Sequence, residues 1–199
     1  RGARRIIAGG EIRERGGEPA EPLWYKHEYL RRLDIRINER IEGLKNGTIS
    51  QDDLCVYGTR KLMENLKNRG LSLYLASGTD EPFVKREAEL LGLSGYFGRH
   101  IYGAQDNYQN FSKKMVIDRI LNENGIAGAN LLSFGDGYVE IQNTSEVGGL
   151  AVAVASDEAN NGSGNMDEWK RERLSGVGAH LVIPDYRDAD AMLAMIFGE

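Results

Sequence analysis

The sequence predicts an α/β fold, an open parallel sheet with helices on both of its faces. From about residue 57 onwards, short apolar runs of strand length alternate with amphipathic stretches of helix length. This alternation is typical of parallel sheets built from strand–helix–strand units. Glycines stand where helical stretches end, at Gly70, Gly92 and Gly125, which is where a residue that tolerates a left-handed backbone is favoured. In such sheets ligands bind beyond the carboxyl ends of the strands.

The predicted strands are short apolar segments, at residues 71–76, 100–102, 131–134, 150–155 and 181–184. The predicted helices after residue 57 each follow a turn or capping signal. They cover residues 59–69, 82–91, 113–124, 139–147, 166–174 and 189–197. Pro82 suits the first turn of its helix, and Ser112 can cap the next one.

Residues 21–45 differ in character, because their apolar side chains recur at helical spacing on a single stripe. The stripe consists of Leu23, Leu30, Leu33, Ile37, Ile41 and Leu44. It predicts one long helix with a packing face that ends at Asn46-Gly47; a helix that binds a partner is the alternative.

Composition excludes several kinds of function. The 199 residues carry a net charge of −5 without a large basic block, which argues against duplex nucleic acid as a partner. No apolar run approaches the length of a membrane span. The single cysteine, Cys55, cannot form an internal disulfide and suits the reducing cytoplasm. The number of subunits stays open.

Three polar clusters lie where the predicted sheet would place a site. The first, Ser77-Gly78-Thr79, follows a strand directly. Its hydroxyl and backbone N–H groups can hold a phosphate oxygen, although a serine or threonine before a helix is often only a cap. The second, Lys113-Lys114, begins a helix, where a cation is unfavourable without an anionic partner. It is either a solvated pair or a charge-neutralising site.

The third cluster runs from Gly135 to Glu140 at the end of a predicted strand. Asp136 and Glu140 are four residues apart, about one helical turn, so both carboxylates can face one point, as a Mg²⁺ site requires. A simple helix cap is the alternative.

The order of these clusters resembles the second, third and fourth motifs of the haloacid dehalogenase superfamily, in its phosphoglycolate-phosphatase-like branch. The resemblance runs from about Tyr57 to the C-terminus. It implies a Rossmann-like three-layer core over residues 57–199 and a partial helical cap over residues 1–56. It also implies a phosphatase of small phosphorylated metabolites with Mg²⁺ as cofactor.

The resemblance also implies roles for individual residues. Ser77 would hydrogen-bond the transferred phosphoryl group, and Gly78 would add a backbone donor. Lys113 would neutralise charge, with Lys114 as the alternative lysine. Asp136 would bind Mg²⁺, and Glu140 would support the metal directly or through water.

The superfamily's first motif, an apolar strand that ends in Asp-x-Asp, has no match. Asp188 and Asp190 have this spacing but follow the last strand. Because that motif supplies the nucleophile and the general acid from the central strand of the sheet, we expect an aspartate upstream of Arg1 in the intact protein, and unpaired strand edges in this chain without it. The alternative is a catalytically inactive module that binds phosphate or a partner. A dinucleotide-binding oxidoreductase is disfavoured, since Gly162-x-Gly164 and Gly176-x-Gly178 lack a third glycine.

Overall fold

The structure is a computed structural model that describes residues 5–8, 11–14, 22–105 and 112–199. Its strands are β1 (Arg5–Ala8), β2 (Glu11–Glu14), β3 (Leu75–Asp80), β4 (Ile101–Ala104), β5 (Leu132–Gly135), β6 (Leu150–Val154) and β7 (Leu181–Ile183). Its helices are α1 (Pro22–Asn46), α2 (Thr59–Asn68), α3 (Glu81–Leu90), α4 (Ser94–Phe97), α5 (Lys113–Asn124), α6 (Tyr138–Glu146), α7 (Glu168–Ser175) and α8 (Ala189–Phe197).

Strands β5, β6 and β7 form a parallel sheet with helices on both faces, as the sequence predicts. Side chains alternate across β6. Val152 packs with α2 and α8, while its neighbours Ala151 and Ala153 pack with Ile141 of α6 and Leu174 of α7. All three β6 side chains are fully buried, so this strand is the centre of a helix–sheet–helix core.

Strands β3 and β4 form a second parallel pair, backed by α3 and α4. The predicted strand at residues 71–76 is displaced, because β3 begins at Leu75 and continues through the polar residues to Asp80. The position of β3 is set by its pairing partner, because β4 lies beside Leu75–Asp80. The register of this pair is irregular between Ala76 and Asp80. No described strand pairs with residues 71–74.

The sheet is interrupted between β3 and β5, since no ladder in the described part of the chain joins them. Helices nevertheless lie on both sides of the interruption. The cluster that contains α2 takes in Leu73, just before β3, together with Leu132 and Phe134 of β5. Helix α5 packs against β3 and against α6. The facing strands are only half buried, unlike β6. In the described part of the chain, β3 therefore pairs only with β4, and β5 only with β6.

The long N-terminal helix is confirmed as α1, but the described residues cover its apolar stripe only in part. Leu23 is exposed and the other stripe residues are half buried. Helix α1 lies against α3, where Asp34 and Arg86 form an ion pair of 2.7 Å. A cleft of about 530 Å³ separates the C-terminal half of α1 from the end of α3 and from residues 53–56.

The hairpin of β1 and β2 is antiparallel, with Ile7 opposite Ile12. It was not predicted, although two short runs separated by Gly9-Gly10 are a recognised hairpin signal. None of the described helices is both long enough and apolar enough to cross a membrane.

Candidate active site

Lys113 and Glu140 form the centre of the candidate site. The Lys113 Nζ donates to Glu140 Oε2 at 2.7 Å, and both side chains are mostly buried. Lys113 begins α5, whose N-terminus is capped by Ser112 Oγ accepting from the Met115 N–H. The predicted unfavourable position of a cation at this helix start is offset by Glu140, which lies 27 residues further on.

Glu140 also closes the loop that follows β5. Its Oε1 accepts a 2.8 Å hydrogen bond from the Gly137 N–H at the N-cap of α6, so one carboxylate links the loop to Lys113. The flanking glycines make room for it. A Cβ on Gly137 would lie 2.5 Å from Glu140 Oε2, and one on Gly135 would lie 2.7 Å from Glu140 Cγ. Glu140 therefore both caps α6 and forms the ion pair with Lys113, so the two interpretations of this cluster apply to the same side chain.

Asp136 lies between these glycines and is exposed. Among the described residues its carboxylate has no hydrogen bond or ion pair, unlike that of Glu140. Beside it, Tyr186 is half buried and packs edge-on against Phe134 of β5, with the ring centres 5.9 Å apart. Burial, and to a smaller extent the negative charge of Asp136, raise the pKa of Tyr186 far above its ordinary range. Asp136 is therefore an exposed carboxylate, without a described partner, beside two half-buried aromatic rings.

The Ser77 cluster lies on the edge of the other sheet. Ser77 is half buried and its Oγ accepts from the Thr79 N–H at 3.2 Å, while Gly78 is exposed. In the described part of the chain, no hydrogen bond or ion pair joins Ser77 to Lys113, Asp136 or Glu140. The structure thus brings Lys113, Glu140 and the 135–137 loop together and leaves Ser77 across the interruption in the sheet.

The two neighbouring lysines have different surroundings. Lys114 pairs with Asp118 one turn along α5, at 3.1 Å, and both side chains are about half exposed. Lys113 faces inward to Glu140. Lys114 therefore belongs to an exposed ion pair, and Lys113 belongs to a mostly buried one.

The donor set fits Mg²⁺ in part. Magnesium takes oxygen ligands and is usually held by one or two carboxylates together with waters and phosphate oxygens. Asp136 offers a free carboxylate of this kind, whereas both Glu140 oxygens already accept hydrogen bonds. No three acidic, histidine or cysteine side chains among the described residues are grouped to hold a metal. Of the two carboxylates in this cluster, only that of Asp136 has no described partner and could ligate a metal directly.

Sequence reasoning did not single out Asp80. This carboxylate is mostly buried at the end of β3 and forms a 2.8 Å ion pair with Lys26 of α1. The contact places the first turns of α1 beside the Ser77 cluster. Its position in the sequence could have indicated a role, because Asp80 ends the same polar run that contains Ser77.

Comparison with known proteins agrees with this architecture. The family model of haloacid dehalogenase-like hydrolases matches residues 19–143. This is more than half of the chain, and the protein belongs to this family of hydrolases. No curated protein matches the sequence.

Solved structures of low sequence identity share the fold. A haloacid dehalogenase-like protein of unknown function from Agrobacterium tumefaciens has a TM-score of 0.60 and 18% identity, covering 90% of this chain and 72% of its own. A HAD family hydrolase from Deinococcus radiodurans, with bound phosphate and sodium, has a TM-score of 0.59 and 16% identity, covering 84% and 67%. A predicted phosphoglycolate phosphatase from Haemophilus somnus has a TM-score of 0.52 and 15% identity, covering 68% and 56%. The chain thus spans only part of the length of these proteins.

Proposed function

We propose that the intact protein is a Mg²⁺-dependent phosphatase of small phosphate monoesters. The observation that carries this proposal is the mostly buried Lys113–Glu140 pair beside the loop of residues 135–137, where the Asp136 carboxylate is exposed. A positive lysine and a free carboxylate at the end of a parallel strand suit the binding and neutralisation of a phosphoryl group. The fold shared with a phosphate-bound hydrolase supports the same reading.

The interruption between β3 and β5 supports a further part of the proposal. Strand edges with unpaired backbone groups are costly in a core, and here helices lie on both sides of the interruption. We propose that one strand from outside the described residues pairs with both edges. It would end in Asp-x-Asp, upstream of Arg1, and its carboxyl end would lie between Ser77 and the 135–137 loop.

The chemistry would then run in two steps. The first aspartate of the added strand attacks phosphorus. A bond forms between its carboxylate oxygen and phosphorus, while the bond from phosphorus to the leaving oxygen breaks. The second aspartate donates a proton to that oxygen. Water then attacks phosphorus of the aspartyl-phosphate and passes a proton to the second aspartate, now ionised; the acyl O–P bond breaks, phosphate leaves, and both aspartates return to their starting state.

The chain's own residues have positioning and charge roles in this scheme. Lys113 holds Glu140 and neutralises charge around the phosphoryl group. Ser77 and the Gly78 N–H donate hydrogen bonds to phosphoryl oxygens. Asp136 would hold Mg²⁺, with Glu140 in support directly or through water. When bound, the metal would draw charge from the phosphoryl oxygens. Residues 1–56, including α1, would act as a partial cap over the core of residues 57–199.

The experiment is hydrolysis of phenyl phosphate by the intact protein, with Mg²⁺ and after chelation. We expect turnover with Mg²⁺, loss to background after chelation, and recovery when Mg²⁺ is restored. A rate that is unaffected by chelation would overturn the metal dependence, and no hydrolysis of any phosphate monoester would overturn the phosphatase assignment.

A second candidate is a catalytically inactive module that binds phosphate or a partner. It is favoured by one observation: no strand in the described part of the chain ends in an Asp-x-Asp pair. Phosphate binding without turnover by the intact protein would support this candidate.

A further inference from the structure

Two exposed aromatic rings and one arginine form a cluster beside the candidate site. The Arg173 guanidinium carbon lies 4.8 Å from the centre of the Tyr138 ring and 4.9 Å from that of Trp169. Trp169 is 65% exposed and Tyr138 is 43% exposed. We call these three residues the aromatic–arginine cluster. Trp, Tyr and Arg are the residue types most enriched at the centres of binding surfaces.

The fold places the cluster at the rim of the site. Tyr138 begins α6 two residues after Asp136, so their Cα atoms are no more than about 7.6 Å apart. Trp169 and Arg173 are four residues apart on α7 and share one face of that helix. Helix α7 packs against α6, which brings this face to Tyr138.

Arg173 is an exposed cation at the C-terminal end of α7. Among the described residues it forms no ion pair, whereas Arg171 on the same helix pairs with Glu168 at 2.6 Å. Glu140, an acidic residue in the first turn of α6, already forms an ion pair with Lys113. A guanidinium that rests against aromatic rings keeps the N–H donors around its edge available for a planar anion. The rings fix its position, which lowers the entropy that binding such an anion would cost.

We propose that the aromatic–arginine cluster binds the leaving group of the substrate, and that this leaving group is a planar ring bearing a carboxylate. The carboxylate accepts hydrogen bonds from Arg173, and the ring lies on the exposed surface of Trp169. This inference rests on the proposed phosphate site, because the phosphoryl end of the same molecule must reach Asp136 and Lys113. It adds a specificity determinant to that site.

The test compares two ligands that cannot be hydrolysed, 4-(phosphonomethyl)benzoate and benzylphosphonate, which differ only in the carboxylate. Dissociation constants are measured by calorimetry on the intact protein and on Arg173→Met, with Arg171→Met as the matched control. We expect the carboxylated ligand to bind the parent about fivefold or more tightly than benzylphosphonate. Arg173→Met should remove this preference, and Arg171→Met should keep it. Trp169→Ala should weaken both ligands.

Equal affinity of the two ligands for the parent, a preference retained in Arg173→Met, or no binding of either ligand would overturn the inference. Failure of the proposed function is seen separately, as absent hydrolysis of phenyl phosphate. If hydrolysis is absent but the carboxylate preference depends on Arg173, the cluster binds the carboxylated ring and only its role toward a leaving group is lost, because the binding measurement requires no turnover.

Discussion

Asp136→Asn in the intact protein is expected to lower the turnover of phenyl phosphate about a hundredfold or more while leaving the fold unchanged. The expected loss of turnover is this large because the substitution removes a charged group at the reacting centre. The unchanged fold follows from the surroundings, since Asp136 is exposed and bonds to no described residue. The Mg²⁺ concentration needed for half-maximal rate should also rise in the variant. The measurements are the rate as a function of Mg²⁺ concentration and the melting temperature.

The matched control is Asp118→Asn, which removes an exposed carboxylate whose partner among the described residues is Lys114, on the surface of α5. Its rate should stay within about twofold of the parent, because an exposed ion pair of this kind contributes little. An Asp136→Asn variant that retains most of its turnover would remove Asp136 from the site.

Lys113→Met is expected to lower turnover about a hundredfold, whereas Lys114→Met should leave it nearly unchanged. The two side chains are adjacent, but only Lys113 is mostly buried and bonded to Glu140. Removing Lys113 also leaves the Glu140 carboxylate without its cation, so some stability will be lost. Rates and unfolding free energies of both single variants provide the measurement.

A double variant separates the two effects of losing Lys113. Lys113→Met combined with Glu140→Gln removes the unpaired charge and should regain part of the stability without regaining turnover. Recovery of turnover in the double variant would mean that Lys113 acts only by supporting the fold. Equal loss in Lys113→Met and Lys114→Met would also contradict its role.

Much of the fold could be predicted because its signals are local. The spacing of Leu62 and Leu66, the Ser112 cap and the apolar run at residues 150–154 each depend on near neighbours in sequence, and the structure has α2, α5 and β6 there. Glu140 could also be singled out from near neighbours, because it is an acidic residue in the first turn of α6.

The limits of β3 could not be predicted, because they depend on a distant partner. Residues 71–74 have the composition of a strand, yet strand structure requires a neighbour, and β4 reaches only Leu75 and beyond. The half-buried state of the α1 stripe has the same origin: the periodicity of its apolar side chains predicts which face packs but not whether anything covers it. The contact of Arg173 with Tyr138 joins positions 35 residues apart, and no local pattern contains it.

The most direct test of the proposed missing strand is the rate of Mg²⁺-dependent phenyl phosphate hydrolysis, measured on the 199-residue chain and on the intact protein. We predict that the intact protein carries an Asp-x-Asp strand and turns over, and that the 199-residue chain does not. Equal hydrolysis by the 199-residue chain would contradict the proposal, because all catalytic groups would then lie within it. An active intact protein without that strand would contradict it as well.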